Sequence, residues 1–120
     1  MKILVTAKEN SITSEVDPHF GRCAYFIVAD VSISEIRKWE AVENPAAVAA
    51  HGAGFQAVQQ VSDLGAQVVL TGALGPNAFG ALQKMDIKAF QATGRVDQAI
   101  EAYLAGKLEQ LAAAGKAHAK

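Results

Sequence analysis

The residues with chemistry to offer are concentrated in the first half of the chain. His19, Arg22 and Cys23 fall within five positions of the run Asp17-Pro18-His19-Phe20-Gly21-Arg22-Cys23. An imidazole nitrogen and a thiolate sulfur suit soft or borderline metals and iron–sulfur material. Arg22 is a fixed positive charge that favours a thiolate at Cys23 or an anionic cluster beside it. Gly21 lets the backbone approach a ligand closely. The same residues also have a structural account. Asp17-Pro18 makes a turn, Phe20 fills the core, and Cys23 is a small buried hydrophobe that opens a strand.

Two glycine-bearing segments are further candidates. His51-Gly52-Ala53-Gly54, with Phe55-Gln56-Ala57, superficially matches a dinucleotide fingerprint. The match fails its context, because residues 45–50 are not a strand and no acid near position 74 could hold a ribose. What survives is a helix entrance whose free N–H groups and His51 can meet an anion, or a plain helix-start loop with an exposed His. Thr71-Gly72-Ala73-Leu74-Gly75-Pro76-Asn77 lacks the Gly-Lys-Ser/Thr ending of a phosphate-binding loop. Gly72 nevertheless lies in a crossover loop of the kind that binds ligands at the carboxyl end of an open sheet. Enzyme templates find no support: the serines lack a nucleophile-elbow sequence, and the first strand carries no carboxylate for metal-assisted hydrolysis. His118, in Lys-Ala-His-Ala-Lys, reads as solvated tail.

These loops need elements to hold them. Ile3-Leu4-Val5 reads as a short buried strand and Tyr25-Phe26-Ile27-Val28 as the strongest strand in the chain. Residues 36–42 form a third, charged strand suited to an edge, hairpinned to the second. Phe55, Val58, Val61 and Leu64 predict a helical face ended by Gly65. Val68-Val69-Leu70 is a buried strand, followed by a helix from Pro76 with Ala78, Phe79 and Leu82 on its apolar stripe. Residues 87–90 form the last strand. Val96, Ile100, Tyr103 and Leu104 mark a third helix, capped by Thr93 or Gly94. A helical turn through Leu108 and Leu111 is expected next. The domain should span 1–111, with 112–120 a flexible tail.

Strand–helix alternation in the second half calls for right-handed parallel crossovers, whereas the first half is antiparallel. The fold class is therefore α/β, a single domain with a five-stranded mixed sheet and helices on both faces. The Ile3–Val5 strand should be central, flanked by the second and fourth strands. The loops after the first and fourth strands should then lie side by side.

Composition agrees and excludes whole classes of function. The 120 residues are 51% hydrophobic but only 7% aromatic, so the core is small and aliphatic. Lys+Arg 11 against Asp+Glu 12 gives a net charge of −1, which argues against nucleic acid or an acidic membrane surface as partner. One cysteine precludes an intramolecular disulfide and suits the reducing cytoplasm. Met1-Lys2 precedes only three apolar residues, too few for a signal peptide or a membrane span.

Val16-Asp17-Pro18-His19-Phe20-Gly21-Arg22-Cys23, followed by Tyr25-Phe26-Ile27-Val28, resembles the dinitrogenase iron–molybdenum cofactor biosynthesis family. Asn44-Pro45, His51-Gly52-Ala53-Gly54, Thr71-Gly72, Gly75-Pro76-Asn77-Ala78-Phe79 and Ala99-Ile100-Glu101-Ala102-Tyr103 fit the same pattern in order. The resemblance implies a ribonuclease H-like fold without nuclease chemistry. It also implies a nitrogen fixation-related, non-catalytic protein that binds or carries iron–sulfur or molybdenum–iron–sulfur cofactor precursors. His19 becomes the leading metal ligand on this basis. Cys23 and His51 are secondary ligands, and Arg22, Gly52 and Gly72 are further cofactor-binding residues. Cluster donor and recipient proteins are the implied partners, and the chain would act as a monomer or homodimer. A four-iron cluster usually wants four thiolates, so one cysteine means a preassembled cluster, a shared one, or none. A regulatory or adaptor protein working through protein contacts is the alternative.

Overall fold

The apolar run of β1 (Lys2–Ala7) forms the middle of the molecule, because its residues 3–7 are all buried. A computed structural model describes residues 1–48, 52–113 and 116–117. β1 pairs antiparallel with β2 (Tyr25–Val31) and parallel with β4 (Val68–Thr71). β2 pairs antiparallel with β3 (Ile36–Glu43), and β4 pairs parallel with β5 (Lys88–Gln91). The order β3-β2-β1-β4-β5 is the one anticipated from the distribution of charge and apolar residues. Central strands covered on both faces read as continuous apolar runs, and the strand carrying Arg37, Lys38, Glu40 and Glu43 goes to an edge.

Alternation along each strand divides the core in two. Leu4, Phe26, Val28 and Val69 face α1 (Ala53–Asp63) and α2 (Pro76–Lys84). Ile3, Val5, Ile27 and Leu70 face α3 (Val96–Leu104) on the other side. Pro76 occupies the first turn of α2, where its missing N–H costs nothing. A short 3-10 helix, Pro45–Val48, leads from β3 toward α1. Among the described residues, no helix is long and apolar enough to cross a membrane.

Several local expectations are corrected. The buried face of α1 is Ala53, Ala57, Val58 and Val61, whereas Phe55 is 54% exposed. The helix start packs against backbone, and only small side chains fit there. α3 is capped at Arg95, with no side-chain cap bond, rather than at Thr93 or Gly94. The guanidinium of Arg95 instead grips the Asp97 carboxylate at 2.6 Å. No helical turn follows α3 through Leu108 and Leu111. Gly106 takes a positive φ, and the chain then runs extended along β5, where the Gln91 N–H donates to the Glu109 carbonyl at 2.9 Å. Leu111–Ala113 (β6), which starts at the last residue of the expected domain, pairs with Lys116–Ala117 (β7) as a small ribbon. Residues 114, 115 and 118–120 lie outside the described residues.

Phe20 is a loop side chain that enters the core, with its ring centroid 6.3 Å from that of Phe26. Phe20→Ala should lower unfolding free energy by about 3–5 kcal/mol in urea titrations, the range for emptying an aromatic site. Phe55→Ala should change it by no more than about 0.5 kcal/mol. Equal losses in the two variants would contradict this division of roles.

Candidate functional site

The segment between β1 and β2 is long but held at many points. The Asp17 N–H donates to the Thr6 carbonyl at 2.9 Å, and the Thr6 hydroxyl donates to the Asp17 carbonyl at 2.6 Å. The buried hydroxyls of Thr6 and Thr71 lie 2.9 Å apart, tying the ends of β1 and β4 together beneath this segment. Farther back, the Val16 N–H donates to the Gly94 carbonyl at 2.7 Å and the Val96 N–H to the Ser14 carbonyl at 2.8 Å.

This anchoring sets His19 beside the β4–α2 loop. His19 forms a parallel bridge with Ala73, whose N–H donates to the Pro18 carbonyl at 3.0 Å. The approach is possible because position 72 is glycine: a Cβ there would lie 2.6 Å from Pro18 Cα and Cβ. On the other flank, a Cβ on Gly21 would lie 3.2 Å from the Gly54 nitrogen at the start of α1. The three loops thus converge, and together they line a cleft of about 470 Å³. His19, Arg22, Gly52, Phe55 and Asn77 are among its walls.

His19 is held from its own side by Asp17. The Asp17 Oδ1 accepts the His19 backbone N–H at 2.8 Å and lies 3.2 Å from its Nδ1. In the tautomer whose Nδ1–H donates to this carboxylate, Nε2 keeps its lone pair for a metal or a proton donor. The His19 side chain is 77% exposed and its Asp17 partner mostly covered. Asp17 was read from sequence only as a turn former. The Asp-x-His spacing, which fits an Asx turn, was the signal available for its orienting role.

The electrostatics of the cleft favour anions. The first turns of α1 and α2 both lie on it, and neither N-cap, Gly52 nor Gly75, supplies a side-chain cap bond. Helix N-termini present N–H groups and the positive end of the helix dipole. Arg22 adds a full charge, its Nη1 donating to the Ala47 carbonyl at 3.3 Å. No Asp or Glu side chain lines the cleft among the described residues.

Cys23, anticipated as a secondary ligand, is packed in the core rather than in the cleft wall. Its Sγ lies 3.4 Å from the Phe20 carbonyl, to which the thiol donates. The buried Asn44 amide donates to the Cys23 carbonyl at 2.9 Å, and its Oδ1 accepts the Ala46 N–H at 3.0 Å. Asn44 therefore clamps the entry to β2, a role unseen in the sequence beyond its position before a proline. Burial, with the charge of Asp17 second, pushes the Cys23 thiol up to about 12, against the pull of the Asn44 hydrogen bond. A thiol so protonated is a poor metal ligand and nucleophile. His51 lies outside the described residues. Among the described residues, no three His, Cys, Asp or Glu side chains gather to hold a metal ion.

Two outcomes test this geometry. Gly72→Ala should destabilise by about 1–3 kcal/mol and speed hydrogen exchange at the Ala73 N–H, whereas Gly75→Ala, with open space around it, should do neither. Native protein should resist alkylation of Cys23 at pH 8 and react promptly in denaturant. The unfolded thiol ionises near its ordinary value of about 8.5. The folded one keeps its proton until about pH 12. Its contribution to stability is therefore complete below about pH 8.5 and lost as pH rises toward 12. In urea titrations from pH 8 to 10, Cys23→Ala should lose less stability than wild type.

Known proteins resemble this chain in sequence and in fold. An uncharacterized protein of Methanocaldococcus jannaschii is 31% identical over 111 residues, covering 92% of this chain and 91% of its own length. The apo form of the orange protein from Desulfovibrio gigas superposes with a TM-score of 0.88 at 40% identity, covering 96% of each chain. A Thermotoga protein solved by NMR superposes with a TM-score of 0.80 at 31% identity, over 96% of this chain and 97% of that one. The family model described as dinitrogenase iron-molybdenum cofactor matches residues 1–106. The chain belongs to the dinitrogenase iron–molybdenum cofactor family.

Proposed function

We propose that this protein is a cytoplasmic carrier that takes up a preassembled anionic metal–sulfur precursor and passes it on without transforming it. The cargo is an iron–sulfur or molybdenum–iron–sulfur cluster, received from one protein and released to another. The observation that carries this reading is the cleft: one oriented imidazole, two uncapped helix starts and Arg22, with no carboxylate in the lining. Membership of the family supports this cargo class.

The donor set fits cargo better than a resident cluster. Building a four-iron cluster in place calls for about four thiolates. The single thiol here is buried and protonated. A finished cluster needs only one exchangeable ligand and compensation of its negative charge. His19 Nε2 would supply the first; Arg22 and the N–H groups at Gly54, Phe55 and Asn77 would supply the second. Gly72 acts by letting the two loops touch, and Gly52 by taking the positive φ that opens α1.

The test is anaerobic uptake of two probes, a preformed iron–sulfur cluster and tetrathiomolybdate, followed by visible absorbance after desalting. Wild type should retain at least one chromophore. His19→Ala should retain at least tenfold less, with a melting temperature within about 2 °C of wild type, since an exposed loop side chain contributes little packing. Asp17→Asn should fall between, because the ring survives but loses its orienting carboxylate. Failure of wild type to retain either probe would favour the adaptor reading, in which the same loops serve protein contacts.

A further inference from the structure

The two edges of the sheet are finished differently. The β5 edge is covered by the segment leading to β6, through the Gln91–Glu109 hydrogen bond and the Phe90–Gln110 bridge. Along β3, no described residue pairs with the outer side. This edge runs eight residues and carries the single tryptophan, Trp39, which is 42% exposed. Long open edges invite another strand, and charged side chains on them restrict which strand is accepted.

The charges of β3 are ordered so that they fit a second copy of themselves. Two copies related by a twofold axis through the sheet pair antiparallel, with one residue on the axis facing itself. An axis at Lys38 or Glu40 would place like charges opposite each other, which is destabilising. An axis at Ala41 would set Trp39 against Glu43 and leave Lys38 outside the charge pairing. An axis at Trp39 sets each Lys38 opposite the second copy's Glu40 and stacks Trp39 on Trp39. Within the sheet Lys38 already faces Asp30 of β2. The row across the junction then alternates in sign as Asp30, Lys38 and the second copy's Glu40. The register shift after Asp30 gives Arg37 no opposite residue in β2, so the regular part of this edge runs from Lys38 to Glu43 and holds the Lys38–Glu40 and Trp39 pairs.

We propose that two copies of this chain associate edge to edge through β3, in the register centred on Trp39, forming one continuous ten-stranded sheet. A few cross-strand ion pairs and one aromatic pair are individually weak, so the association is transient. The candidate cleft is built from the β1–β2 loop, the α1 start and the β4–α2 loop, and Lys38, Trp39 and Glu40 line none of it.

Sedimentation velocity on the full chain between about 10 and 500 μM, with Trp39 fluorescence read over the same range, tests the pairing. Wild type should show a concentration-dependent monomer–dimer exchange, with tryptophan emission shifting to the blue as dimer forms. Lys38→Glu and Glu40→Lys each create two like-charge pairs and should weaken association at least tenfold. Mixing the two variants in equal amounts restores both opposite-charge pairs in a heterodimer and should recover association to within about threefold of wild type. Circular dichroism of each variant controls for folding. Wild type that stays monomeric throughout, single variants that associate like wild type, or a mixture that fails to recover would each overturn the proposal.

Discussion

Pro18 rests against the backbone of Gly72 so closely that a methyl group at position 72 has no room. Much of the site follows from that contact. It joins the segment after β1 to the loop after β4, above the Thr6–Thr71 hydroxyl pair that ties the strands beneath. With the two loops in contact, the chain from His19 to Arg22 must cross the start of α1, and Phe20 is directed down into the core. The cleft is the gap left between three backbone segments that touch where their side chains are smallest. Its walls are consequently main chain to an unusual degree, and main-chain N–H groups set much of its electrostatic character.

Such a wall gives broad rather than ion-specific recognition. One imidazole and one guanidinium do not define a coordination geometry as a tetrahedral set of thiolates does. They favour negative charge of suitable size and offer a single exchangeable bond. The protonated, buried Cys23 reinforces this, because a reactive thiol in the same loop would capture a metal–sulfur species covalently. That restraint agrees with the proposed carrier role.

Sheet order was legible in the sequence because burial on both faces leaves a plain trace. Ile3–Val5, Phe26–Val28 and Val68–Leu70 carry no charge, while residues 36–43 include Arg37, Lys38, Glu40 and Glu43. Helix ends at Gly65 and Pro76 were legible for equally local reasons. Phe55 was misplaced because a 3.6-residue period accommodates it as easily as Ala57. What decides between them is the thinness of the gap under α1, a property of the Gly21–Gly54 approach. The extended run after Gly106 was hidden for a similar reason: Leu108 and Leu111 have helical spacing, and the unfilled hydrogen bonds of β5 outweigh it. In the site, His19 could be picked out by type and neighbours. The carboxylate that orients it, and the Asn44 clamp behind Cys23, depend on how the loop closes, which no local pattern records.

The many anchors of the segment between β1 and β2 have a thermodynamic consequence. Immobilising a residue's backbone costs roughly 1–2 kcal/mol in conformational entropy. Had residues 15–22 been left loose, an arriving ligand would have to supply that ordering, and most of a weak interaction would be consumed by it. Here the cost is absorbed when the loop is sewn to Thr6, Gly94 and Ala73 during folding. Association and release then require no rearrangement of the segment, so both can be fast. A surface that binds weakly can still empty and refill at the pace of molecular encounter.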